Sequence, residues 1–196
     1  MSELTRRVKP YYESFTSPLL ELLRKKGVSP HAVTVTGFIL TAAGSAFLYL
    51  EKDLLAFFLL LAGALADGID GALARRTGRS SRFGAFLDST LDRLSDALPF
   101  VALTGRFAAL ADETGALLSS LALTFSLAVS YARARAESLG VKGVRGFMER
   151  TERWAVLLTG LLLGLLKPAL VLILLGSMFT LLQRILETKK ALEGEP

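Results

Sequence analysis

The sequence has no cysteine and a single histidine, His31. Without cysteine there are no disulfides and no thiolate metal sites, and redox chemistry gives no clue to the compartment. One histidine excludes a multi-histidine site or relay. Any bound metal must therefore be held by oxygen, which favours Mg2+, Mn2+ or Ca2+. Internal repeats and low-complexity linkers are also absent, so residues 1–196 read as one domain. The first thirty residues carry scattered charge and no continuous apolar core, so no cleavable signal peptide is expected. What remains is an unusual mixture. Apolar residues make up 52% and charged ones 21%, with a mean hydropathy of +0.47. Such a chain alternates apolar segments with charged connections, the composition of an integral membrane protein. The net charge of +5 sits beside the apolar stretches, as juxtamembrane charge does, so no nucleic-acid partner is expected.

The pattern predicts an all-α membrane fold of six transmembrane helices behind an N-terminal amphipathic helix. Residues 1–27 interleave Tyr11, Tyr12, Phe15, Leu19, Leu20 and Leu23 with Arg6, Arg7, Lys9, Arg24, Lys25 and Lys26, as in a helix lying in the membrane interface. Spans are expected at 31–50, 54–73, 83–109, 114–136, 154–166 and 168–186. The third is interrupted by Asp88, Asp92, Arg93 and Asp96, and Lys167-Pro168 is the turn signal between the last two. If six spans alternate, nineteen Lys and Arg fall on one side and only Lys52, Arg106 and Lys167 on the other, with Arg93 inside a span. The positive-inside rule then places both termini in the cytoplasm.

Ionisable groups within spans are costly and mark function by default. Asp67 and Asp70 are three apart and share a helix face; Asp88 and Asp92, four apart, share another, with Gly84 one turn earlier and Asp96 one turn later. Four carboxylates gathered by two helices would repel and protonate without a counter-cation. Divalent metal relieves that repulsion, and two ions suit four carboxylates plus phosphate oxygens. Gly68 and Gly71 leave room for a phosphate or nucleotide near the backbone, and Arg75 offers a guanidinium fork for phosphates. A cation transporter could also carry intramembrane aspartates. Their clustering near one membrane face, with Arg75 adjacent, argues against an ion path.

Residues 67–92 read D-G-I-D-G-A-L-A-R-R-T-G-R-S-S-R-F-G-A-F-L-D-S-T-L-D. This segment resembles the signature of the CDP-alcohol phosphotransferase family, D-x2-D-G-x2-A-R-x8-G-x3-D-x3-D, and matches it at Asp67, Asp70, Gly71, Ala74, Arg75, Gly84, Asp88 and Asp92. A chance match at one starting point is roughly one in a billion from average residue usage. The resemblance implies a six-helix membrane enzyme, usually a homodimer, in which an alcohol displaces CMP from a CDP-linked lipid. By the family pattern Asp67, Asp70 and Asp88 hold the metals, two Mg2+ or alternatively Mn2+, while Asp92 touches the second metal and acts as general base. Gly71, Arg75 and Ser81 match positions that bind the CDP part. Pro30-His31-Ala32-Val33-Thr34 resembles the nucleotide-contacting stretch, although Asn or Asp is common where His31 stands.

Residues 130–153 bear on the acceptor. Arg133, Arg150, Arg153 and Arg184 fall near cytoplasmic span ends, and several guanidiniums suit a phosphorylated polyol better than a neutral alcohol. The run S-Y-A-R-A-R-A-E, then G-F-M-E-R-T-E-R and a late Q-R, is similar to the branch of the family whose acceptor is inositol phosphate. By that resemblance the four arginines bind the acceptor's phosphate, with Glu149 and Glu152 orienting them. Arg133 stands where lysine is common. The implied reaction moves a phosphatidyl-type group from CDP-diacylglycerol to inositol 1-phosphate. The alternatives are glycerol 3-phosphate as acceptor, giving phosphatidylglycerophosphate, or an archaeol-based donor.

Overall fold

The computed structural model describes residues 16–78, 81–144 and 146–194, and these are helical with short connections and no strand. Of the expected interfacial helix, residues 1–15, with Arg6, Arg7, Lys9, Tyr11, Tyr12 and Phe15, lie outside the described residues. Residues 16–25 form α1. Its Leu20 is buried with Val33, Ile69 and Leu73, while Leu23 packs at the edge of that cluster. Arg24, Lys25 and Lys26 are exposed. The helix is thus amphipathic, with part of its apolar face committed to the protein.

Six further helices follow: α2 (Pro30–Tyr49), α3 (Asp53–Thr77), α4 (Arg82–Ala109), α5 (Glu113–Ser138), α6 (Arg150–Leu162) and α7 (Leu166–Glu193). Local chemistry sets their ends. Ser29 caps α2 by accepting the Ala32 N–H at 3.1 Å, and Pro30 occupies the first turn, where its missing N–H costs nothing. Asp112 caps α5 through the Gly115 N–H at 3.0 Å. One expectation is corrected here. Lys167 and Pro168 do not form the turn between the last two helices; they lie in the first turn of α7. The reversal comes earlier, where Gly164 adopts a φ of +68°. Proline in a first turn starts a helix as readily as it ends one, so the signal marked the right place within a few residues.

Four helices, α2, α3, α5 and α7, are long and apolar enough to cross a membrane. Their outward faces carry large apolar side chains such as Ile39, Phe58, Leu117, Leu175 and Phe179, each more than half exposed. Exposed apolar surface on this scale belongs against lipid. The other two expected spans are helices of a different kind. α4 has 28 residues but carries Asp88, Asp92, Arg93 and Asp96, and α6 has only 13, a length of about 20 Å against a hydrocarbon core of about 30 Å.

The described residues fall into two compact units that part between Ala102 and Leu103, inside α4. In the first, α2 and α3 pack backbone to backbone. A Cβ on Gly63 would collide with Thr41 Oγ1, and one on Gly37 would lie 3.0 Å from the Ala66 Cβ. Small residues serve this purpose where lipid supplies no hydrophobic drive between helices. In the second unit α7 packs against both α5 and α6, and Ser119, Ser126, Ser177 and Thr180 are buried.

Candidate metal centre and nucleotide pocket

The last turns of α3 and the first turns of α4 bring the aspartates together. Carboxylate oxygens of Asp67, Asp88 and Asp92 all lie within 4.8 Å of one another, each residue being half-buried. Asp70 is not a member of that trio. It is 4% exposed, and its oxygens accept the Thr34 hydroxyl at 2.6 Å and the Gly71 N–H at 2.5 Å. It nevertheless borders the same pocket as Asp88. At these separations each pair of unit charges repels by about 3–4 kcal/mol at an effective dielectric of about 20. Oxygens bound to one Mg2+ or Ca2+ sit at about 2.0–2.6 Å from it, hence at most about 4–5 Å apart. The trio therefore fits a divalent cation in donor chemistry and in spacing.

A pocket of about 180 Å³ opens beside these carboxylates, bordered by Pro30, His31, Thr34, Asp70, Gly71, Arg75, Ser81, Gly84 and Asp88. Of the seven residues expected to meet the nucleotide, His31, Thr34, Gly71, Arg75 and Ser81 are there. Ala32 and Val33 are not. They lie one helix face away, along an apolar groove of about 570 Å³ shared with Leu19, Leu23, Leu65 and Ile69. A stretch read as five consecutive contacts is split by helical periodicity, with positions 31 and 34 on one side and Val33 in the core.

Two glycines shape the pocket. A Cβ on Gly84 would lie 2.6 Å from His31 Cε1 and 3.0 Å from Ser81 Oγ, so glycine lets the start of α4 close onto the start of α2. The position of a Cβ on Gly71 is 3.4 Å from Arg75 Nη1, so the guanidinium lies folded over that glycine. Ser81 has a second duty: its Oγ accepts the Gly84 N–H at 2.9 Å and caps α4. The His31 ring meets Phe83 edge-on, centroids 6.3 Å apart.

The expected acceptor arginines lie in the second unit and differ sharply in burial. Arg153 and Arg184 are 4% and 3% exposed. Arg153 donates to the Met148 carbonyl at 3.3 Å, and Arg184 Nη1 to the Val129 carbonyl at 2.6 Å. Arg184 Nε is buried without a hydrogen-bond partner among the described residues. Arg133 is about half exposed and paired with Glu137 at 3.0 Å, while Arg150 opens α6 half-buried. The charges of Arg133, Arg153, Glu149 and Glu137 all act on Arg184, whereas Arg150 is not among its principal charge neighbours. A buried guanidinium short of acceptors favours an anion, because desolvation is otherwise uncompensated. The Glu149 charge acts on Arg184, and Glu152 leaves Oε2 buried without a hydrogen-bond partner among the described residues.

The fold and these residues define the class. The family model for CDP-alcohol phosphatidyltransferase matches residues 28–186, and the chain belongs to that family of membrane transferases. Among its relatives is archaetidylinositol phosphate synthase of Pyrococcus horikoshii, 38% identical over 194 residues, 98% of each chain. The phosphatidylinositol phosphate synthase of Mycobacterium tuberculosis with CDP-DAG bound superposes with a TM-score of 0.80 at 32% identity, covering 88% of this chain and 92% of that one. Its complex with manganese and citrate gives 0.80 at 31% identity, covering 88% of each.

Proposed function

We propose that the protein transfers the phosphatidyl-type group of CDP-diacylglycerol to inositol 1-phosphate, releasing CMP. The observation that carries this reading is the convergence of Asp67, Asp88 and Asp92 beside a pocket lined by His31, Gly71 and Arg75. The match to relatives that make inositol-phosphate lipids supports the choice of acceptor. Asp67, Asp70, Asp88 and Asp92 would hold two Mg2+, with Mn2+ as a substitute; when bound, the metals neutralise the pyrophosphate and the departing CMP. Arg75 steadies the phosphates through its fork of donors. Asp92 removes the proton from the attacking hydroxyl as that oxygen bonds to the phosphorus and the bond to CMP breaks. Asp70, held by Thr34 and Gly71, is fixed in one orientation. Arg153 and Arg184, with Arg133 and Arg150, bind the acceptor's phosphate.

α4 and α6 complete six spans, α1 lies at the interface, and both termini face the cytoplasm, in keeping with nineteen Lys and Arg on one side against three. The two units act as one catalytic domain, in keeping with a family match that runs through both. The enzyme works as a homodimer, the family's usual state. Radiolabelled CDP-diacylglycerol offered separately with inositol 1-phosphate and glycerol 3-phosphate tests the reaction. Product with inositol phosphate is expected. Turnover with glycerol 3-phosphate alone would assign the enzyme to phosphatidylglycerophosphate synthesis instead.

A further inference from the structure

Two uncharged residues of α7, Thr180 and Gln183, reach out of their helix to the segment that leads into α6. Thr180 is fully buried. Its hydroxyl donates to the Gly176 carbonyl at 2.8 Å and accepts the Met148 N–H at 2.8 Å. Gln183 Oε1 accepts the Phe147 N–H at 2.9 Å, and the Phe147 ring stands edge-on to Phe179, centroids 5.9 Å apart. Space is as restrictive as bonding. A Cβ on Gly146 would collide with the Thr180 methyl, and one on Gly176 would lie 2.6 Å from Met148 Sδ. Residues 146–148 are thus seated along one face of α7, on positions spaced as i, i+4 and i+7.

Two of these residues, Met148 and Gly146, lie against the two buried arginines. Arg153 donates to the carbonyl of Met148, whose N–H Thr180 holds. Arg184 follows Gln183, and its Nε is 3.5 Å from where a Gly146 Cβ would be. We infer that Thr180 and Gln183 are positioning residues: they hold residues 146–148 against α7 and so set Arg153 and Arg184 for the acceptor's phosphate. This rests on the reading of those arginines given above. A buried N–H that loses its acceptor must find another, and the segment shifts to do so. A displacement of about 1 Å in a charge-binding group is enough to weaken a substrate contact.

The full-length enzyme in detergent micelles provides the test, with KM for inositol 1-phosphate, KM for CDP-diacylglycerol and kcat measured separately. Thr180→Val keeps the volume and removes the hydroxyl; it should raise the acceptor KM about tenfold and leave the donor KM within about twofold. Thr180→Ser restores the hydroxyl and should remain within about twofold of wild type. Gln183→Leu should raise the acceptor KM about threefold, and it carries the test if Thr180→Val does not fold. Equal rises in both KM values, or a serine variant as impaired as the valine one, would overturn the positioning role. Arg153→Ala and Arg184→Ala separate the two levels. If they raise the acceptor KM and neither α7 variant does, only the positioning role fails. If they leave it unchanged, the acceptor reading fails and the inference with it.

Discussion

The two units of this chain solve the same problem, holding charge inside an apolar protein, in opposite ways. In the unit that ends at Ala102 the charges are acidic, sit on adjacent turns of two consecutive helices, and converge to within 4.8 Å. In the unit that begins at Leu103 the buried charges are basic, Arg153 of α6 and Arg184 of α7, and each is propped by a backbone carbonyl. The carboxylates gain from a cation between them, so close approach is tolerated. The guanidiniums must be kept oriented without one, so each leans on the backbone. A short helix–turn–helix suffices for the first arrangement. The second needs contacts 32, 36 and 55 residues apart in sequence.

Substitutions on the acidic side should show the larger effects. Asp92→Asn should lower kcat about a thousandfold, the usual loss of a general base, with CDP-lipid binding retained; retained turnover would remove Asp92 as the base. Gly84→Ala should come next. The new methyl must displace the His31 ring, so the donor KM should rise about tenfold, and adding His31→Ala should recover part of it. If the double variant is no better than the single, the His31 contact is not what Gly84 protects. Thr34→Val leaves one oxygen of buried Asp70 without its donor and should cost about 1–3 kcal/mol of stability, read as a lower unfolding midpoint in detergent.

The smallest effect should come from the basic unit's outer pair. Lys167 lies 2.6 Å from Asp112, and with the Gly115 N–H it holds the Asp112 carboxyl below the ordinary carboxylate range. A depressed folded pKa contributes stability above the unfolded value and loses it as pH falls through the folded one, so the loss should fall below about pH 4. Asp112→Asn should flatten the decline of the unfolding midpoint below about pH 4. An unaltered decline would show that this partly exposed pair contributes nothing measurable.

The same contrast explains what was legible in the sequence. Asp67, Asp70, Asp88 and Asp92 announce themselves by spacing, because helical periodicity converts i+3 and i+4 directly into a shared face. The finer division, with Asp70 buried and bonded to Thr34 at the edge of the same pocket, depends on a contact between α2 and α3 that spacing does not encode. A motif read as a string groups Ala32 and Val33 with His31 and Thr34, whereas a helix deals successive residues to different faces. Thr180 is silent in the sequence, because a threonine in an apolar helix carries no distinctive pattern. Its role appears only when residue 148 is folded against it. Most helix starts are legible to within a few residues, but Lys167-Pro168 is an ambiguous signal because proline marks both helix ends and first turns.

The central claim is that Asp67, Asp88 and Asp92 form a divalent-cation site on which the chemistry depends. Mn2+ titration of the full-length protein in detergent, followed by electron paramagnetic resonance, tests it most directly. Wild type and Arg184→Ala should bind Mn2+ alike, whereas Asp88→Asn should weaken binding by at least about tenfold, the cost of losing one charged ligand. Equal Mn2+ affinity in wild type and Asp88→Asn would contradict the account.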